Sequence, residues 1–185
     1  MLIVSTKRVP LVQRLVLPSV LRAGFDEVVW VGDGEAGAGY RFLPVPPLTR
    51  STTDALVKRD VGTLATTADW IFYLCDDHAV RTLTLPIPED AFDVCVPGRV
   101  SQHPQLGLVR LNMGMDATDP NRPYCGGHAG LFRRTLIQER PWTSMPHDRL
   151  WDLRASQIQV AMGARFVESD AIVVEDLDPE AEPWR

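Results

Sequence analysis

Trp70-Ile71-Phe72-Tyr73-Leu74-Cys75-Asp76-Asp77-His78 is an apolar, aromatic run that stops abruptly at three ionisable residues. A strand buried on both faces of a sheet reads as a continuous apolar run rather than as an alternation. Six such residues fit a strand and fall far short of the roughly 20 that cross a bilayer. In open α/β sheets ligands gather outside the carboxyl ends of the strands. The stretch therefore predicts a central strand ending at a metal site, with Asp76 and His78 at i, i+2 spacing on one side of the chain.

Outward from that strand, short β-rich runs alternate with helical patterns, the order of an α/β fold on a mainly parallel sheet. Strands are expected at Leu2 to Ser5, Glu27 to Val31 and Arg41 to Val45. A helix is expected from Leu11 to Ala23, closed by Gly24 and interrupted at Pro18. Thr52 to Ala68 carries Val57, Val61, Leu64, Ala65 and Ala68 as an apolar stripe that turns Lys58 and Arg59 elsewhere. Beyond His78 strands are expected at Phe92 to Val96 and Leu106 to Leu111, a loop at Asp116 to Arg122, helices at His128 to Arg140 and His147 to Met162, and a last strand at Ala171 to Val174. That strand ends in Glu175 and Asp176, a second acidic terminus.

The 185 residues, 45% apolar and 23% charged, describe one domain with enough chain for a core. A net charge of −5 argues against a general polyanion binder. Cys75, Cys95 and Cys125 are odd in number and widely spaced, so neither a disulfide framework nor a structural zinc site is expected, and a cytoplasmic, soluble protein fits. The amino terminus places its apolar residues before its basic ones, the reverse of a secretory signal. No repeat or long linker divides the chain, and Pro44-Val45-Pro46-Pro47 reads as a rigid connection. Gly32-Asp33-Gly34-Glu35-Ala36-Gly37 matches a dinucleotide-binding glycine pattern, but the prolines at 44, 46 and 47 forbid the helix that pattern needs.

Read in order, these segments resemble a small family 2 glycosyltransferase of the GT-A type, over nearly the whole chain. Thr6 and Arg8 match that family's first-strand Thr and Arg, and Gly32-Asp33-Gly34 resembles its nucleoside-binding turn. Lys58-Arg59-Asp60-Val61-Gly62 is similar to its Arg-Asn-x-Gly helix, and Asp76-Asp77-His78 stands in place of the Asp-x-Asp metal motif. Gly126-Gly127-His128-Ala129-Gly130-Leu131-Phe132-Arg133-Arg134 resembles the segment beside the donor sugar. The resemblance implies a single GT-A domain over 1–185 that moves a sugar, with inversion, from a nucleoside diphosphate to an acceptor hydroxyl.

Under that resemblance Thr6, Arg8, Asp33, Lys58, Arg59, Asp77, Gly126, Gly127, Arg133 and Arg134 bind the donor, a uridine diphosphate sugar being the commonest. Asp76 and His78 hold a divalent cation, and oxygen and imidazole donors suit Mn²⁺ or Mg²⁺. A general base is needed for the acceptor hydroxyl. Asp152 has the family spacing before Gly163, and Asp148 sits at a helix start after His147. On that helix Asp148, Asp152, Ser156 and Gln159 form one face, opposite Trp151, Ala155, Ile158 and Met162. Glu175 and Asp176 are candidates for a further cation ligand. The acceptor stays open among saccharide, protein, lipid headgroup, small metabolite and modified nucleic-acid base. A nucleotidyltransferase and a noncatalytic nucleotide or glycan module are the rival classes, the former lacking a glycine-rich loop after the first strand.

Overall fold

A computed structural model describes residues 2–4, 8–49, 51–84, 92–103, 105, 107–111, 129–147 and 151–177. Strand β1 (Leu2–Val4) runs parallel to β2 (Val29–Gly32), which pairs in parallel with β3 (Arg41–Pro44). On its other side β1 is parallel to β4 (Trp70–Cys75). Beyond β4 the direction changes. Strand β8 (Ala129–Arg133) is antiparallel to β4 and to β6 (Val94–His103). β6 is parallel to β9 (Phe166–Asp176), and β9 is antiparallel to β5 (His78–Leu83). The order is β3-β2-β1-β4-β8-β6-β9-β5, with β7 (Gly107–Leu111) antiparallel to β6. The sheet is thus mixed, not mainly parallel: β8 lies antiparallel between β4 and β6.

β4 is apolar throughout because both of its faces are covered. Phe72 and Leu74 join Val12, Val16, Val20 and Trp30 on one side. Ile71 and Tyr73 join Val29, Val31, Leu56, Phe132 and Trp142 on the other. The first side is packed by a continuous helical run made of α1 (Val9–Leu11), a π-helical turn (Val12–Val16) and α2 (Leu17–Ala23). Pro18 lacks an N–H and sits in the first turn of α2, so the ladder widens just before it instead of breaking. Gly24 closes α2 in the left-handed region, φ 79°.

The second side carries α3 (Ser51–Ala65), α4 (Arg134–Glu139), a 3₁₀ turn (Trp142–Ser144) and α5 (Trp151–Ala161). Here the expected helical faces are corrected. On α3 the buried residues are Asp54, Leu56, Lys58, Arg59 and Thr63, whereas Leu64 of the expected apolar stripe is 80% exposed. Val61 of that stripe still packs against the second cluster, and beside it the paired Lys58 and Asp54 face the protein. On α5, Ser156 and Gln159 of the expected polar face are buried beside Ala155, while Met162 just beyond the helix is exposed. The helix expected over 128–140 is divided: its small and apolar beginning is drawn into the sheet as β8, and only Arg134 onward is helical.

Candidate active site

The three parallel strands β2, β1 and β4 end level with one another, since Val4 is in register with both Val31 and Cys75. Asp33 follows one end of this row and Asp76 the other, so with about 4.8 Å between strands the two lie roughly 10 Å apart along one edge. The turn Asp76-Asp77 then leads straight into β5. Pairing of β5 with β9 sets His78 opposite Asp176 and Ala79 opposite Glu175. Alternation sends Asp176 to the side of His78, whereas Glu175 turns away to Arg81 at 2.9 Å. The two acids at the end of β9 are thereby separated: Asp176 belongs to the site and Glu175 to the opposite face.

A continuous chain of charge crosses this edge. One guanidinium nitrogen of Arg8 lies 3.2 Å from Asp76 and 2.6 Å from Asp77. His78 Nδ1 is 2.6 Å from Asp77 Oδ1, and Nε2 is 2.8 Å from Asp176 Oδ1. Arg99 forks onto both oxygens of Asp176, with Nη2 to Oδ2 at 2.6 Å. Burial works against a charged imidazole, but the hydrogen bonds of Asp176 and Asp77 outweigh it and raise the pKa of His78 above its ordinary value. Burial also opposes ionisation of Asp176, and the contacts with His78 and Arg99 overcome it, lowering its pKa. Asp76 and His78 are both buried.

The donor set suits a hard or borderline cation. Asp76 and Asp176 offer oxygens, and His78 offers an imidazole whose Nδ1 is backed by Asp77, the arrangement that orients metal-ligating histidines. In chemistry the residues fit Mn²⁺ or Mg²⁺. Their present arrangement is one of ion pairs, and among the described residues no three His, Cys, Asp or Glu side chains are spaced as a coordination shell. A divalent cation bound by these residues would have to compete with Arg8 and with the His78 proton. Burial pushes the Cys75 thiol up to about 11.

The remaining expected site residues divide. Lys58 is fully buried, with Nζ 2.8 Å from Asp54 and 3.6 Å from Asp33, so it anchors Asp33 and has no surface of its own for a ligand. Arg59 is likewise buried, its guanidinium carbon 5.1 Å from the ring centres of Tyr73, Trp142 and Trp151. Asp152 stands in the first turn of α5. Its neighbour Trp151 is linked to the strand end, because the Arg59 under that ring lies 3.9 Å from Cys75 Sγ. Arg133 and Arg134 are not brought to the site. Arg133 is in register with Trp70 at the start of β4, about 16 Å of strand from Cys75. It stacks on Trp70 and binds Asp93 at 3.1 Å, and the backbone of Arg134 binds Asp69. At the other end of that motif Ala129 pairs with Leu74. Thr6, Gly126, Gly127, His128 and Asp148 lie outside the described residues.

Arg99 and Asp54 were missed by sequence reasoning. Arg99 gives no motif signal; only the parallel β6–β9 pairing that sets it against Val174 carries it to Asp176. Asp54 is legible as an i, i+4 partner of Lys58.

The fold is shared by solved glycosyltransferases of the GT-A type. The chain superposes on GalNAc-T7, solved with UDP, GalNAc and Mn²⁺, at a TM-score of 0.64 and 12% identity, covering 96% of this chain and 43% of that one. It matches the mannosyltransferase PcManGT of Pyrobaculum calidifontis, in complex with GDP-Man and Mn²⁺, at 0.61 and 14%, covering 97% and 56%. Residues 1–349 of S. aureus TarS match at 0.60 and 12%, covering 97% and 60%. The chain thus spans about half the length of these proteins. No family model and no curated protein sequence matches it. Among the described residues no helix is long and apolar enough to cross a membrane.

Proposed function

We propose that the chain is a glycosyltransferase domain that takes a sugar from a nucleoside diphosphate to an acceptor hydroxyl with inversion, aided by a divalent cation. One observation carries the reading: the β5–β9 pairing brings Asp176 to His78 beside Asp76, on the same strand edge that presents Asp33. Nucleoside recognition falls to Asp33, held in place by Lys58, and to Asp77. Asp76, His78 and Asp176 would hold the cation, which supplies charge to offset the leaving diphosphate. Arg8, the most exposed cation of the cluster, is placed to add its guanidinium to the same phosphates once released from the two aspartates. Asp152 takes the proton of the attacking hydroxyl, so that the acceptor oxygen bonds to the anomeric carbon as the bond from that carbon to the phosphate oxygen breaks. UDP and GDP, the nucleotides seen in the solved neighbours, are the first to try.

Thermal unfolding with UDP, GDP and their sugars, with and without Mn²⁺, tests the reading, because a ligand of the native state raises the midpoint. The expected result is a rise with one nucleotide that requires the cation and is lost in Asp76→Ala, whose own fold stays intact. A rise with no nucleotide under either condition sinks the reading. Saturable binding with neither transfer nor donor hydrolysis would instead mark a noncatalytic module.

A further inference from the structure

Arg59 occupies the position that the sequence pattern gives to a donor ligand, yet its surroundings are those of a strut. Its guanidinium lies at 5.1 Å from three ring centres, those of Tyr73 on β4, Trp142 on the 3₁₀ turn and Trp151 at the start of α5. The rings meet edge to face, Tyr73 with Trp142 at 88° and Trp142 with Trp151 at 84°. They leave flat faces for the cation between them. Tyr73 remains a neutral phenol, as burial pushes it up to about 12. Thr63 Oγ1 donates to the carbonyl of Arg59 at 2.8 Å, and the Tyr73 hydroxyl meets that same Oγ1 at 2.6 Å. The next residue completes the hold: the Asp60 carboxylate accepts from the backbone N–H groups of Trp142 and Thr143 at 2.8 and 2.9 Å, and from Thr143 Oγ1 at 2.7 Å.

Two consecutive residues of α3 thus fix the turn that precedes α5, and Arg59 alone also reaches β4 at Cys75, one residue before Asp76. We propose that Arg59 is a positioning residue: its cation–aromatic cage sets the first turn of α5, and with it Asp152, against the end of β4, and it does not bind the donor. The inference rests on the glycosyltransferase reading, and within it reassigns Arg59 from holding the nucleotide to orienting the base. Arginine suits the cage because its planar, weakly hydrated guanidinium stacks on ring faces and still reaches Cys75, whereas a lysine ammonium is a compact, strongly hydrated point charge.

The experiment compares wild type, Arg59→Lys, Asp152→Asn and the double variant. UDP and GDP affinity with Mn²⁺ is measured by calorimetry, and hydrolysis of UDP-GalNAc and GDP-mannose at saturating donor is measured by nucleotide release. Arg59→Lys should leave nucleotide affinity and stoichiometry within about twofold while slowing hydrolysis about tenfold or more, the scale of a misplaced catalytic group. In the Asp152→Asn background the same change should cost less than about twofold, because the loss runs through Asp152. Trp151→Leu, which removes one wall of the cage, should reproduce the pattern and stands in if Arg59→Lys does not fold. Tenfold weaker nucleotide binding by Arg59→Lys, or losses that multiply independently of Asp152, would overturn the inference and leave the glycosyltransferase reading standing. Wild-type binding without hydrolysis overturns it also, since no base would be there to orient. No nucleotide binding by wild type removes the reading and the inference together.

Discussion

Lys58 shows how a single residue can be misjudged from spacing and still be central. Its position on α3, one step from the aliphatic stripe, places it on a solvated face by pattern alone, yet it is fully buried against Asp54 and Asp33. A buried ammonium is tolerated only where carboxylates meet it. Removing it leaves Asp54 charged and enclosed, so Lys58→Met should destabilise the protein by about 3–5 kcal/mol in urea unfolding. Replacing both partners, Lys58→Met with Asp54→Leu, should recover much of that loss; a double variant no better than the single would show that the pair is not the cause. At the edge itself Arg8 makes the opposite kind of prediction. Its one nitrogen neutralises Asp76 and Asp77 together, so Arg8→Gln should tighten Mn²⁺ binding in the absence of nucleotide while weakening nucleotide binding at saturating Mn²⁺. Manganese spin resonance reads the first effect and calorimetry the second. Equal or weaker Mn²⁺ binding in the variant would show that Arg8 does not compete for the acids.

At the scale of elements, Asp93 joins three strands at the end of the sheet remote from the site. Its carboxylate accepts from Arg133 of β8 at 3.1 Å and from the backbone and side chain of Arg165, just before β9, at 3.0 and 3.1 Å, while Asp93 itself leads into β6. Burial would raise its pKa, but the Arg165 backbone and guanidinium, with Arg133, outweigh burial and hold the carboxyl below its ordinary range. A depressed folded value means that Asp93 contributes stability above the unfolded carboxylate pKa of about 4. That contribution is lost as pH falls through the folded value. Asp93→Asn should lower the midpoint by roughly 2–4 °C at pH 7, about 1 kcal/mol for a chain of this size. The deficit should vanish in strong acid, and one that persisted unchanged there would exclude the carboxylate as its source. The same elements mark what the sequence makes legible. β4 is plain because burial on both faces leaves an apolar run with a charged stop. β5 is readable in retrospect from the alternation of His78 and Val80 with Ala79 and Arg81, but adjacent metal-motif residues draw attention from its strand character. β8 is illegible locally: Ala129-Gly130-Leu131-Phe132 has no strong strand preference, and its place between β4 and β6 is decided by tertiary pairing. The local pattern expects a helix over 128–140, whereas the five-residue strand sets Ala129 beside Leu74 and carries Arg133 back to Trp70, at the far end of β4.

Across the whole molecule, one sheet divides two apolar clusters, with Trp30, Phe72 and Leu74 on one side and Tyr73, Phe132 and Trp142 on the other. Adjacent residues of β4 belong to different clusters, so neither layer can loosen without disturbing the strand that carries Asp76. Ser19 adds a polar tie through the first layer: its hydroxyl donates to Val16 at 2.6 Å and accepts the N–H of Val80 at 3.0 Å, fastening the helical run to β5 within two residues of His78. Such coupling predicts a single cooperative unit. Urea unfolding followed by far-ultraviolet circular dichroism and by tryptophan fluorescence should give coincident transitions, and a bound nucleotide should move both curves equally. Ser19→Ala, which leaves the buried N–H of Val80 without that acceptor, should shift both by about 1–3 kcal/mol and keep them superimposed. Two separated transitions would mean that the β1–β4 half and the β5–β9 half unfold independently. The edge where Asp76, His78 and Asp176 meet would then be a junction between units, and its geometry would depend on their docking instead of on one continuous sheet.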